Sequence, residues 1–100
     1  MIVVRNVFKL KFGMAREAVD LWKKWIPESK KVSKSNAEIR LLTDLVGDYY
    51  TLVVEISAES LTDYDNWSKN TMGSKEFGDW YKKFKPLAEG GYREIMTVEK

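Results

Sequence analysis

Residues 42–55 read LTDLVGDYYTLVVE. Leu42, Leu45 and Val46 precede Gly47-Asp48, and the run Leu52-Val53-Val54 follows. Glycine enters positive φ at little cost, so Gly-Asp between two apolar stretches signals a two-residue hairpin. The expected strands are Ala37 to Val46 and Tyr49 to Ser57. The hairpin sits in the middle of the chain, with a strand and a helix before it and helices and a strand after it.

Upstream, residues 2–12 alternate. Ile2, Val4, Phe8, Leu10 and Phe12 share one face, while Arg5, Lys9 and Lys11 take the other. Gly13 ends this strand. Met14, Ala18, Leu21 and Trp25 then recur at helical spacing, widened by Val19, Trp22 and Ile26. Pro27 lacks an N–H and crowds the Lys23 carbonyl, which predicts a kink or an end there. Ser33 to Asn36 reads as a polar connector. Downstream, Ser60 can cap a helix, with Asp63 three residues on. Leu61, Tyr64 and Trp67 are its expected buried positions. Gly73 interrupts and Ser74 is a fresh N-cap. Phe77, Trp80, Tyr81, Phe84 and Leu87 follow at helical spacing. Pro86 and Gly90-Gly91 stop that helix, and Tyr92 to Val98 is the last strand.

This order predicts one α+β domain over residues 1–100. It is a ferredoxin-like βαββαβ sandwich whose second helix is split. Helices cover one sheet face only. The uncovered face is expected to carry Val3, Val7, Leu42, Val46, Val53 and Ile95, with Arg5, Arg40, Asp44, Glu55 and Arg93 among them. Such a face invites a partner, and the economical one is a second copy on a two-fold axis. The expectation is a homodimer joined through the sheet faces.

Composition narrows the chemistry. Seventeen basic and 15 acidic residues leave a net charge of +2, and there is no histidine or cysteine. Ser-His and Cys-His catalysis, zinc–thiolate sites and disulfides are therefore excluded. No Walker loop or GxGxxG occurs. No cofactor, transition metal or haem is expected. The lysines at 23, 24, 30, 31 and 34 are interleaved with Asp20 and Glu28, as on a solvated helix face. Nucleic acid is not an expected partner, given this charge balance and the lack of an RNA-recognition signature. Arg5, Lys9 and Lys11 break the apolar opening, so no signal peptide or membrane span is read, and the expected location is cytoplasmic.

Asn6 interrupts the most apolar stripe of its strand, on the face expected under the helices. A buried amide must find partners. It is either a structural plug bonded to backbone or Tyr81, or a cavity amide that orients a ligand. Four tryptophans (Trp22, Trp25, Trp67 and Trp80) sit on helical stripes, and Tyr50, Tyr64 and Tyr81 accompany them. Such stripes are usually core, yet they can also wall a pocket for a flat ligand. Strand position 6, Trp67 beside Leu61 and Tyr64, and Tyr81 beside Phe77 and Phe84 should converge beneath the helices.

The strand VVRNVFKLKFG, the helix AREAVDLWKKW, the hairpin LTDLVGDYYTLVVE, SLTDYDNW and PLAEGGYREI together resemble the dimeric α/β-barrel superfamily. The likeness is to its NIPSNAP-like and antibiotic-biosynthesis-monooxygenase branches, and it spans the whole chain. Haem-degrading members of the superfamily use an Asn, a Trp and a His. The resemblance places Asn6 and Trp67 at the first two positions and Tyr81 at the third, where a phenol replaces the imidazole that binds iron. It implies Asn6, Trp67 and Tyr81 as catalytic candidates; these three, with Trp22 from the aromatic stripes and Arg40 from the second strand, make up the expected ligand-binding set.

Two functions follow as expectations. One is a homodimer that holds a small flat, apolar or aromatic ligand between sheet and helices. The other is a cofactor-independent monooxygenase acting on an electron-rich aromatic or quinol. In the second, Asn6, Trp67 and Tyr81 orient the substrate, and Arg40 or Arg93 stabilises a phenolate if it lies at the cavity mouth. A nucleic-acid-binding module comes last.

Overall fold

The alternating opening segment is strand β1, Ile2–Leu10, and the first helical stripe is α1, Ala15–Ser33. The computed structural model describes residues 1–35 and 37–100. β2 (Ile39–Thr43) and β3 (Thr51–Ala58) form the hairpin. Helices α2 (Leu61–Met72) and α3 (Lys75–Phe84) follow, then a 3-10 turn over Lys85–Leu87 and β4, Ala88–Thr97. The sheet order is β2-β3-β1-β4, with every neighbouring pair antiparallel. This is the expected α+β ferredoxin-like arrangement with its second helix split.

The split has a local cause. Ser60 Oγ accepts from the Asp63 N–H at 3.2 Å and starts α2. Gly73 closes that helix with its N–H on the Lys69 carbonyl. Ser74 Oγ then accepts from the Phe77 N–H at 3.1 Å and starts α3. Each hydroxyl satisfies a donor that the helix itself leaves unpaired.

Pro27 neither ends α1 nor marks its boundary. The helix runs on to Ser33 and closes at Lys34, which adopts the left-handed conformation at φ 55°. Proline costs the Lys23 carbonyl its partner, but Ser29 Oγ donates to the Ile26 carbonyl and Ser33 Oγ to the Ser29 carbonyl beyond it. The connector expected at Ser33 to Asn36 begins only after Ser33, and Asn36 lies outside the described residues.

The hairpin is looser than a two-residue turn. The ladder ends at Thr43 opposite Leu52. Asp44 closes it, donating its N–H to the Thr51 carbonyl and accepting the Thr51 N–H on Oδ1 at 3.0 Å. Gly47 at φ 136° and Tyr50 at φ 60° then carry the chain round. Leu45 and Val46, expected in a strand, stand fully exposed in this loop. Phe12 also lies beyond its strand, exposed and edge-on to Tyr50. Leu61 is exposed at the start of α2 rather than buried.

β4 begins earlier than expected and takes in Gly90-Gly91. Register pairs Asn6 with Arg93, Val4 with Ile95, Arg5 with Glu94 and Val7 with Tyr92. Arg93 and Ile95 therefore share the helix-covered face with Val4 and Asn6, not the open face. The open face carries Val3, Arg5, Val7, Arg40, Leu42, Val53, Glu55, Tyr92, Glu94 and Met96. The core lies under the helices: Val4, Leu10, Ala18, Leu52, Val54 and Phe84 are all but sealed.

Candidate functional site

The helix side of the sheet is not filled. A cavity of about 540 Å³ lies between β1, β3 and β4 below and the three helices above. Large rings meeting at angles keep it open. Trp22 stands edge-on to Trp80 with centroids 4.7 Å apart, and Phe8 is edge-on to Phe84 at 5.1 Å. Trp80 stacks on both Trp25 and Phe84, at 5.4 and 5.3 Å. Its Nε1 donates to the Leu21 carbonyl at 2.9 Å, which fixes the ring. Trp25 and Trp80 are core residues that also form wall; Trp22 and Trp67 are only partly buried.

Asn6, Trp22, Trp67 and Tyr81 all line this cavity. They reach it from β1, α1, α2 and α3. Tyr81 sits at the rim, 42% exposed, with its ring stacked on Phe77 at 5.5 Å. Residues from Ala88 to Arg93 of β4 also line it, and β4 is exposed along nearly its whole length. Gly91 allows the close approach there. A Cβ at that position would strike the Val7 carbonyl oxygen and come within 3.3 Å of Phe8 Cα.

Arg40 does not line this cavity. Its Nη2 donates to Glu55 Oε1 at 2.6 Å on the open face. That glutamate also accepts from Arg5 Nε at 3.1 Å, and Arg5 Nη1 reaches Glu94 Oε1 at 2.6 Å. Alternation along β2 puts Arg40 and Leu42 on one side and Ile39 and Leu41 on the other. Within this cluster the bond from Arg40 holds the Glu55 carboxyl below its ordinary range, against the opposing effect of burial and with help from Arg5. The same bond raises Arg40.

Asn6 does not bond Tyr81. Its partner is Arg93, whose Nε donates to Asn6 Oδ1 at 2.8 Å. Arg93 is the arginine that does line the cavity. Three polar atoms on the lining residues are buried and have no partner among the described residues: Trp22 Nε1, Trp67 Nε1 and Thr71 Oγ1. An unmade bond of this kind costs about 1–3 kcal/mol and calls for an explanation. Thr71 was not singled out from sequence. The available signal was its place on the α2 stripe, seven residues after Tyr64 and four after Trp67.

A second recess of similar size opens beside Ala58, lined by Glu38, Asp63, Asn66 and Asn70, with Tyr64 and Trp67 lining both. It is more polar and shallow in aromatic contact. Among the described residues no group of three or more acidic side chains could hold a metal ion, and no helix is long and apolar enough to cross a membrane. Tyr81 brings a phenol to the rim, and the chain has no histidine or cysteine.

No protein-family model matches this chain, and no curated protein is detectably similar to it in sequence. Its fold, however, recurs in solved structures. An uncharacterised NIPSNAP-like domain protein from Burkholderia xenovorans superposes with a TM-score of 0.88 at 17% identity, over 99% of this chain and 85% of that one. A NIPSNAP family protein of unknown function from Agrobacterium tumefaciens gives 0.87 at 18%, over 98% and 87%. A candidate antibiotic biosynthesis monooxygenase from Nitrosomonas europaea gives 0.76 at 11%, over the whole of both chains. These are the branches that the sequence resembles. At such identities the likeness establishes a shared fold, and chemistry must come from the site.

Proposed function

We propose that this chain is a homodimeric binding protein for a small, flat, apolar or aromatic molecule held between sheet and helices. The observation that carries the reading is the aromatic cavity whose wall holds two buried, unpartnered indole donors. Its volume falls within the usual range for small-molecule sites, about 300–1,000 Å³. A ligand that brings acceptors would satisfy donors that the protein leaves bare. Flat aromatic compounds should quench tryptophan fluorescence on titration, and Trp67→Phe should remove most of the response. A wild-type signal that no such compound moves would remove the support for this reading.

The dimer rests on the open face. Leu42, Tyr92 and Met96 are 39%, 62% and 48% exposed there, around the half-hidden Val3. This apolar surface surrounds the Arg5–Glu55–Arg40 cluster, so a two-fold contact would mix apolar and ionic pairs.

The second reading, a cofactor-independent monooxygenase, is favoured by one observation: the Asn6–Arg93 pair on the cavity wall. A quinol and dioxygen would give a hydroxyquinone and water. One oxygen atom enters the ring, the other leaves as water, and the substrate supplies all four electrons. The protein's part would be orientation by Asn6, Trp67 and Tyr81 and stabilisation of the phenolate by Arg93. Oxygen uptake with a quinol, lost in Asn6→Ala, supports this reading. Binding of the quinol without uptake leaves the binding protein.

A further inference from the structure

Arg5, Arg40 and Arg93 all project from the sheet, but their neighbours differ. Arg5 and Arg40 are neutralised by Glu55 and Glu94 on the open face. Arg93 faces the other way, and among the described residues no carboxylate is paired with it. Glu94 is its chain neighbour, yet alternation sends that side chain to Arg5. The one bond Arg93 makes is from Nε to Asn6 Oδ1.

That bond matters for what is left over. It uses one lone pair of the amide oxygen and leaves the amide's NH2, while both Nη groups of the guanidinium keep their hydrogens. The pair therefore offers an excess of donors. The buried indole N–H groups of Trp22 and Trp67 are donors only. The charged residues on the lining are Lys85, Arg93 and Glu89, so the excess charge is positive. An apolar cavity with a donor-rich corner and an excess positive charge is matched by a molecule with an apolar body and an anionic end.

We infer that the ligand is an apolar carboxylate, its body among Trp22, Trp67 and Phe84 and its carboxylate on the Nη groups of Arg93 beside the Asn6 amide. The inference rests on the cavity being a ligand site, and it adds the charge and end group of that ligand. Arginine and carboxylate form paired parallel bonds, which fixes the end of the molecule as well as attracting it. Arg93 is exposed, so solvent screens part of the attraction.

The test compares naphthoate with its methyl ester, which keeps the ring system and loses the charge. Calorimetric titration of the wild-type protein should give about tenfold tighter binding of naphthoate. Arg93→Gln, checked for fold by circular dichroism, should weaken naphthoate by a similar factor and the ester far less, so that the preference for the acid disappears. Arg93→Lys should recover part of the loss. Equal binding of acid and ester overturns the carboxylate inference while the cavity reading stands. An acid preference that survives Arg93→Gln overturns the assignment to Arg93. If neither compound binds, the inference fails together with the reading beneath it.

Discussion

The two faces of this sheet meet the cost of burial in opposite ways. On the open face charges are brought together: Arg5, Glu55, Glu94 and Arg40 form a linked cluster over Val7 and Val53, which are only 9% exposed. On the helix face the charged lining residues are Lys85, Glu89 and Arg93, none of them in an ion pair among the described residues, and three buried polar atoms are left without a partner. Asn6 holds one arginine, while Trp22, Trp67 and Thr71 hold nothing. A face built for its own stability satisfies its polar groups. A face whose cavity-lining residues carry buried, unpartnered polar atoms gives up stability there, and a binding role is the simplest reason for it.

The sharpest way to break the contrast is to remove the ring that supports the cavity. Phe84 is 2% exposed and packs against Phe8, Trp22 and Trp80. Phe84→Ala should cost about 3–5 kcal/mol in chemical denaturation. A loss below about 1 kcal/mol would mean the rings around the void are not packed as described. Val53→Lys acts on the other face. It forces a charge beneath the ionic cluster and should destabilise by about 1–3 kcal/mol. Light scattering should then show monomer or aggregate in place of dimer, and a wild-type monomer at micromolar concentration would refute the sheet-to-sheet contact.

Gly91→Ala probes the seam between the faces. The new Cβ would press on the Val7 carbonyl, so a loss of about 1–3 kcal/mol and weaker ligand binding are expected. An unchanged melting temperature would show that β4 can move away from β1. The smallest effect belongs to Glu55→Gln. The folded protein holds the Glu55 carboxyl below its ordinary range. That contribution is present above the unfolded value and is lost as pH falls through the folded one, because the unfolded chain then binds the extra proton. The variant should lose less than about 1 kcal/mol at neutral pH and show a flatter acid limb in urea titrations. A steeper limb would contradict the pairing.

Element order and helix caps were readable because their signals are local. Ser60 and Ser74 each cap a donor three residues away. Asn6, Trp22, Trp67 and Tyr81 could be placed on the cavity side from periodicity alone, since each lies on an apolar stripe of its own element. What could not be read is whatever depends on register between strands. Arg40 and Arg93 look alike in the sequence, and only the pairing of Asn6 with Arg93 and of Arg40 with Glu55 decides which one meets the cavity. Gly47-Asp48 misled for a related reason. The Asp44 carboxylate takes the Thr51 N–H, ends the ladder early and leaves Leu45 and Val46 outside it. That contact joins residues that no short window compares.

The central claim is that the void on the helix face is a binding site whose bare donors meet the ligand. The four indole N–H signals in a proton–nitrogen correlation spectrum report on it directly. Titration with naphthoate should move the Trp22 and Trp67 signals most, since their N–H groups are unpartnered, and move Trp80 least, since its N–H is already on the Leu21 carbonyl. Backbone signals of Arg5 and Glu55 on the open face should stay in place. Indole signals that do not move, or shifts confined to the open face, would contradict the account.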